Sequence, residues 1–204
     1  IRALLLLMAM FSLFVMSYTT VVPIFATQTL KGNANTLGFL LAASGVGAGF
    51  GAIYMSTRKT VLGLGRVVAY APMICGVGLF GLAFSRSLAI AMVALAVVGL
   101  GTLLQISASN TVIQTLVDND KRGRVMSLYT MAFFGMSPFG SLIAGALAGK
   151  IGVPDTLILS GIVCIVGSVV FARQLPRLRK QARPIYIREG IFPTIAPAVN
   201  AKMR

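Results

Sequence analysis

An all-α membrane bundle of six transmembrane helices is the fold that this sequence predicts, and three observations carry the prediction. Apolar windows long enough to cross a bilayer recur six times along the chain. Lys or Arg stands at almost every break between them. The apolar share is 57% of 204 residues, with mean hydropathy +0.90. A soluble core cannot use that much apolar surface, whereas a bilayer can.

The spans are expected at Ala3 to Ala26, Leu37 to Ser56, Val67 to Phe84, Leu88 to Val117, Val125 to Ala148 and Thr156 to Ala172. Soluble helices would need polar faces that these runs lack. The fourth exceeds what a bilayer requires, so its last turns should protrude toward water. Pro23, Pro72 and Pro138 interrupt spans, which membrane helices tolerate when neighbours satisfy the freed carbonyls. The expected division is a six-helix bundle over 1–172 and a basic cytoplasmic tail over 173–204. That tail carries Pro176, Pro184, Pro193 and Pro197, with Glu189 as its sole acid. It reads either as a segment resting on anionic lipid or as a tail with no partner.

The charge pattern fixes direction. Arg2, Arg58, Lys59, Arg66, Lys121, Arg122, Arg124 and the tail place fifteen basic residues on one side. Only Lys31, Arg86 and Lys150 lie on the other. By the positive-inside rule both termini are cytoplasmic. Tyr54, Tyr70 and Tyr129 fall near the cytoplasmic ends, where rings anchor at headgroups. The net charge of +14 would suit nucleic acid if it covered one face; it is dispersed between apolar runs, which argues against that partner. There is no His, and Cys75 and Cys164 lie apart inside apolar runs. No metal or other cofactor is expected, and no enzyme constellation is visible. Ile1 is not Met, no cleavable leader is identifiable, and the chain is expected to be a fragment.

Polar and small residues inside the spans mark candidate sites. Thr102, Gln105 and Ser109 share one face of the fourth span; Ser107, Asn110 and Gln114 share another. Ser12, Thr19 and Thr20 form a milder stripe on the first. Lipid cannot satisfy these groups, so they should meet protein or a wet cavity. Gln105, Ser109 and Thr102, with Ser12 and Thr19 opposite, are the candidate cavity residues. Asn110 and Gln114 are assigned to structural hydrogen bonding. Gly45, Gly47, Gly49 and Gly51 in the second span, and Gly135, Pro138, Gly140 and Gly145 in the fifth, mark close helix packing, either moving or static. The cytoplasmic loops hold Arg58 and Lys59, then Arg122 and Arg124, of which the second pair reads as a clamp on helix ends or as a topology anchor. The four acids are Asp118, Asp120, Asp155 and Glu189, and none lies deep in a span. Any proton-carrying carboxylate must therefore belong to another part of the protein. Asp155 reads as a helix N-cap.

The run from Gln105 to Thr115, then Lys121-Arg122-Gly123-Arg124-Val125-Met126-Ser127-Leu128-Tyr129, then Pro138-Phe139-Gly140 to Gly145, resembles the carboxy-terminal half of major facilitator superfamily transporters. The likeness is to the branch of enterobactin exporters and transmembrane secretion effectors. It implies one half of a twelve-helix fold, completed by an amino-terminal six-helix half. The implied function is secondary active efflux of a siderophore or amphipathic small molecule across a bacterial cytoplasmic membrane. It also implies that the first and fourth spans line the cavity, the second and fifth face the other half, and the third and sixth face lipid. The acid usual in the loop after the second span is replaced by Met55. The alternative is a six-helix channel or scaffold acting alone or as a homodimer.

Overall fold

A computed structural model describes residues 2–58, 60, 61 and 63–188. No strand occurs among them. The helices are α1 (Arg2–Phe11), a π turn (Ser12–Met16), α2 (Tyr18–Gln28), α3 (Ala34–Thr57), α4 (Leu64–Phe84), α5 (Leu88–Leu116), α6 (Asn119–Phe134), α7 (Ser137–Ile151) and α8 (Val153–Arg188). They make six membrane-length spans: α1 with α2, α3, α4, α5, α6 with α7, and the first part of α8.

Local chemistry sets several boundaries. Asn33 opens α3 with a capping box, its side chain accepting from the backbone of Asn35 and Thr36, while Thr36 Oγ1 accepts from the Asn33 N–H. Ser87 opens α5 by accepting from Ile90 N at 3.4 Å. Both caps use short oxygen-bearing side chains to satisfy amides that a helix start leaves bare. Asn33→Ala should cost about 0.5–2 kcal/mol, read as a lower melting temperature of the purified protein. An unchanged melting temperature would show that water serves those amides equally well.

Three expected boundaries need correction. The basic segment at Lys121 to Arg124 is not a loop: α6 begins at Asn119, so Arg122 and Arg124 lie exposed in its first turns. Once outside hydrocarbon, charged side chains cost a helix little, and Asp120 favours its positive end. Asp155 is not a cap either; it sits in the first turn of α8. Gly152, at φ +91, ends α7 and lets α8 begin at the next residue. Finally, the sixth span runs over Val153–Pro176, close to the expected end at Ala172, but its helix does not stop there: α8 continues into the expected tail as far as Arg188. Glu189 and the rest of the tail, like Lys59, lie outside the described residues.

Packing is strongest around the fourth span. It lies between the second and third, and the third also runs along the sixth. The first span is seated against the fifth and sixth. In the third span 56% of the apolar window is buried, against 22% in the second and 17% in the fifth. The third span is thus the most enclosed of the six by its neighbours. Only a narrow stripe of it, including Tyr70, Met73, Val77 and Phe84, is exposed. The second and fifth leave most of their surface uncovered by the other spans.

Candidate functional site

The seam between the first and fourth spans holds the buried polar cluster. Gln105 is fully buried, and its Nε2 donates to Ser109 Oγ at 3.2 Å and to Met8 Sδ at 3.4 Å. Its Oε1 is buried with no hydrogen-bond partner among the described residues. Such an atom is costly to keep in a dry interior, where lost solvation is worth about 1–3 kcal/mol. Gln105 and Ser109 face each other one turn apart on α5, so helical geometry alone brings them together. Met8, ninety-seven positions away, is brought by the fold.

The other expected cavity residues are dispersed. Thr102 Oγ1 lies 3.7 Å from Cys75 Sγ on the third span, so the predicted stripe divides between two neighbours. Cys75 also donates to Val98 O, in keeping with a small packed core residue. Ser12 is fully buried and its hydroxyl donates to the Phe133 carbonyl on the fifth span. Thr19 is exposed and bonds back to Met16 O at 2.8 Å. Ser12, Gln105 and Ser109 are therefore enclosed within the bundle rather than displayed on its surface. A further half could only reduce their exposure, so contact with a ligand requires the seam to part. Tyr18 OH lies 3.2 Å from Ser44 Oγ and ties the first span to the second.

Asn110 and Gln114 bond to each other at 2.6 Å along α5, with Gln114 exposed, and so form a bond along one helix rather than between helices. Tyr129 is buried and donates to Ile106 O at 3.2 Å, which replaces the expected headgroup anchorage with an interhelical bond. Arg58 folds back on Tyr54, donating to its hydroxyl at 2.7 Å with the guanidinium carbon 5.1 Å from the ring centroid.

The glycines separate by neighbour. Gly47 and Gly51 face the fourth span, whereas Gly45 and Gly49 are exposed with open space where a Cβ would stand. Gly140 packs against the π turn of the first span. Gly145 has open space at its Cβ position, and Gly135 and Pro138 lie exposed at the break between α6 and α7. Sequence reasoning missed Met8, and it did not single out the open, shallow face of the fifth span formed by Met126, Ser127, Thr130, Met131 and Phe134. The alternation of hydroxyl and soft apolar groups at helical spacing over Met126–Met131 was the available signal.

A family model described as transmembrane secretion effector matches residues 1–191. The chain belongs to that family, within the major facilitator transporters. It is 24% identical over 155 residues to the staphyloferrin A transporter of Staphylococcus aureus, covering 76% of this chain and 38% of that protein. It is 31% identical over 161 residues to the multidrug efflux pump Tap of Mycolicibacterium fortuitum, covering 74% and 37%. The chain thus spans under two fifths of the length of these curated relatives. The fold is similar to that of the peptide transporter POT solved with alafosfalin, with TM-score 0.66 at 17% identity. That match covers 93% of this chain and 45% of the other. The family and these relatives are membrane transporters.

Proposed function

We propose that this chain is the carboxy-terminal six-helix half of a secondary active exporter in a bacterial cytoplasmic membrane, both termini cytoplasmic. It works by alternating access with an amino-terminal six-helix half, a carrier rather than an enzyme. The substrate class is a siderophore or an amphipathic small molecule, as the names of two relatives suggest. The observation that carries the reading is the unpartnered amide oxygen of Gln105, fully buried between the first and fourth spans. A dry scaffold gains nothing from such an atom; a seam that opens to water or to a donor-bearing substrate satisfies it in one of its states. Gln105 and Ser109 are the central cavity residues; Thr102, Ser12 and Thr19 are directed to other neighbours and stand outside this pair. The exposed small residues Gly45 and Gly49, with the open face of the fifth span, are the surface offered to the other half.

The test is efflux by the full-length protein in cells stripped of their own exporters, loaded with ethidium or with staphyloferrin A. Faster loss of either, abolished by a protonophore or an ion-gradient collapse, is the expected result. Identical retention of both with and without the protein would overturn the reading. Orientation has its own check. Arg122 and Lys150 stand near opposite ends of the 32-residue fifth span, roughly 48 Å long at ~1.5 Å per residue. Arg122→Cys should resist a membrane-impermeant thiol reagent in intact cells while Lys150→Cys reacts. Equal labelling of the two would exclude the proposed topology.

A further inference from the structure

Two spans are interrupted, and the interruptions meet. The first changes from α to π winding over Ser12–Met16, near the middle of Ala3–Gln28. The fifth breaks at Gly135 and Met136, near the middle of Asp120–Ile151, with Pro138 in the first turn of α7. A proline cannot donate to the carbonyl four residues back, so the break leaves carbonyls short of partners. Ser12 Oγ, within the π turn, donates to one of them, Phe133 O in the last turn of α6. Ser17 Oγ serves Leu13 O and Thr19 Oγ1 serves Met16 O around the same turn. The Ser12 hydroxyl thus reaches across the junction to a carbonyl at the break, while Ser17 and Thr19 bond back along their own helix.

The pairing on either side is equally specific. α1 packs on α6, and α2 packs on α7. The start of α7 is seated on the π turn itself, where Gly140 lies so close that a Cβ would fall on the Leu13 carbonyl and on Ser17 Oγ. The remaining spans form a slab, α4 and α5 with α3 and α8, in far more extensive contact; α7 is held to it along α8, α6 meets it more lightly along α5, and α1 and α2 touch it to a similar, slight extent.

We propose that the π turn and the break form one hinge, pinned by the Ser12 hydroxyl on Phe133, about which α1 and α6 swing together while α2 and α7 stay with the slab. π turns inside α-helices recur at functional positions, and hinges sit where a few residues absorb the bend. Ser12 is a positioning residue in this device: it couples the two spans rather than touching cargo. The inference goes beyond the export reading and does not depend on which molecule is carried.

The experiment places nitroxide pairs in the full-length protein in lipid nanodiscs, using exposed positions Leu6 on α1, Leu128 on α6, Leu142 on α7 and Tyr70 on α4. Expected are at least two distance populations for Leu128–Tyr70 and Leu6–Tyr70, a single one for Leu142–Tyr70, and a constant Leu6–Leu128 distance. Pro138→Ala should collapse the populations to one. Ser12→Ala should broaden the Leu6–Leu128 distance, and Ser12→Thr, which keeps the hydroxyl, should restore it. If either variant fails to accumulate, the native distances still decide. Equal, narrow distributions for Leu128 and Leu142 would overturn the hinge, and so would independent movement of Leu6 and Leu128. Intact efflux with rigid distances would remove the hinge alone and leave the export reading standing.

Discussion

Gly47→Val and Gly99→Val should each empty the membrane of folded protein, while Gly45→Val leaves its abundance near that of the native chain. The second and fourth spans cross with their backbones in contact. A Cβ on Gly47 would fall on the Ala96 carbonyl oxygen and lie 2.6 Å from its carbonyl carbon. A Cβ on Gly99 would fall on the Ser44 carbonyl oxygen, 2.8 Å from the carbon. The obstacle in both cases is helix backbone, which cannot turn aside as a side chain does. Overpacking a core costs about 1–3 kcal/mol where side chains can shift, and a backbone clash stands at or above the top of that range. Gly45 shares the residue type and the helix, yet its Cβ direction is open. Membrane abundance and detergent melting of the three variants check the contrast. Equal abundance of Gly47→Val and Gly45→Val would mean that the second and fourth spans do not cross as described. A loss of efflux in Gly45→Val at native abundance would place that open face against the other half.

The number and rough position of the spans were legible because a bilayer imposes a length on apolar runs that no local propensity obscures. Which side of each span meets protein was not. Lipid tails and leucine side chains are equally apolar, so hydropathy carries no record of the neighbour. Gly45 and Gly47 look alike in sequence and differ only in what faces them. The third span, aliphatic and read as lipid-facing through the family resemblance, turns out to be the most enclosed. The charged segment from Lys121 to Arg124 was read as loop because charge marks the membrane boundary, but that boundary is not where a helix must end. Pro138 announced the break in the fifth span. The π turn opposite it has no comparable signal; Ser12, Ser17 and Thr19 show only that loose carbonyls would find donors. Gln105 was legible as a misfit in hydrocarbon, whereas its partner Met8 depended on a contact between the first and fourth spans that spacing cannot encode.

Gln105→Leu should stop or strongly slow efflux while leaving the stability of the protein close to native. The two effects have separate causes. In the enclosed state the amide donates to Ser109 and Met8 but its oxygen has no partner, and an unmatched buried oxygen costs about 1–3 kcal/mol. Leucine removes that liability, gives up the two donor bonds, and fills nearly the same volume, so the closed seam stays close to break-even. Contacts of this kind between membrane helices are worth about 0.6–2 kcal/mol each, so the two lost bonds and the removed liability are of similar size and nearly cancel. Transport suffers because an apolar seam no longer gains a water or a substrate donor when the first and fourth spans part. Gln105→Ala separates packing from chemistry: it loses the amide as well, and it leaves a cavity, so it should melt lower than Gln105→Leu. Efflux at matched abundance and melting in detergent are the measurements. Native efflux in Gln105→Leu would take Gln105 out of the transport path. Melting well below the native protein would show that the amide is fully satisfied in the closed seam, and that its oxygen is a structural acceptor served by water rather than a group held ready for cargo.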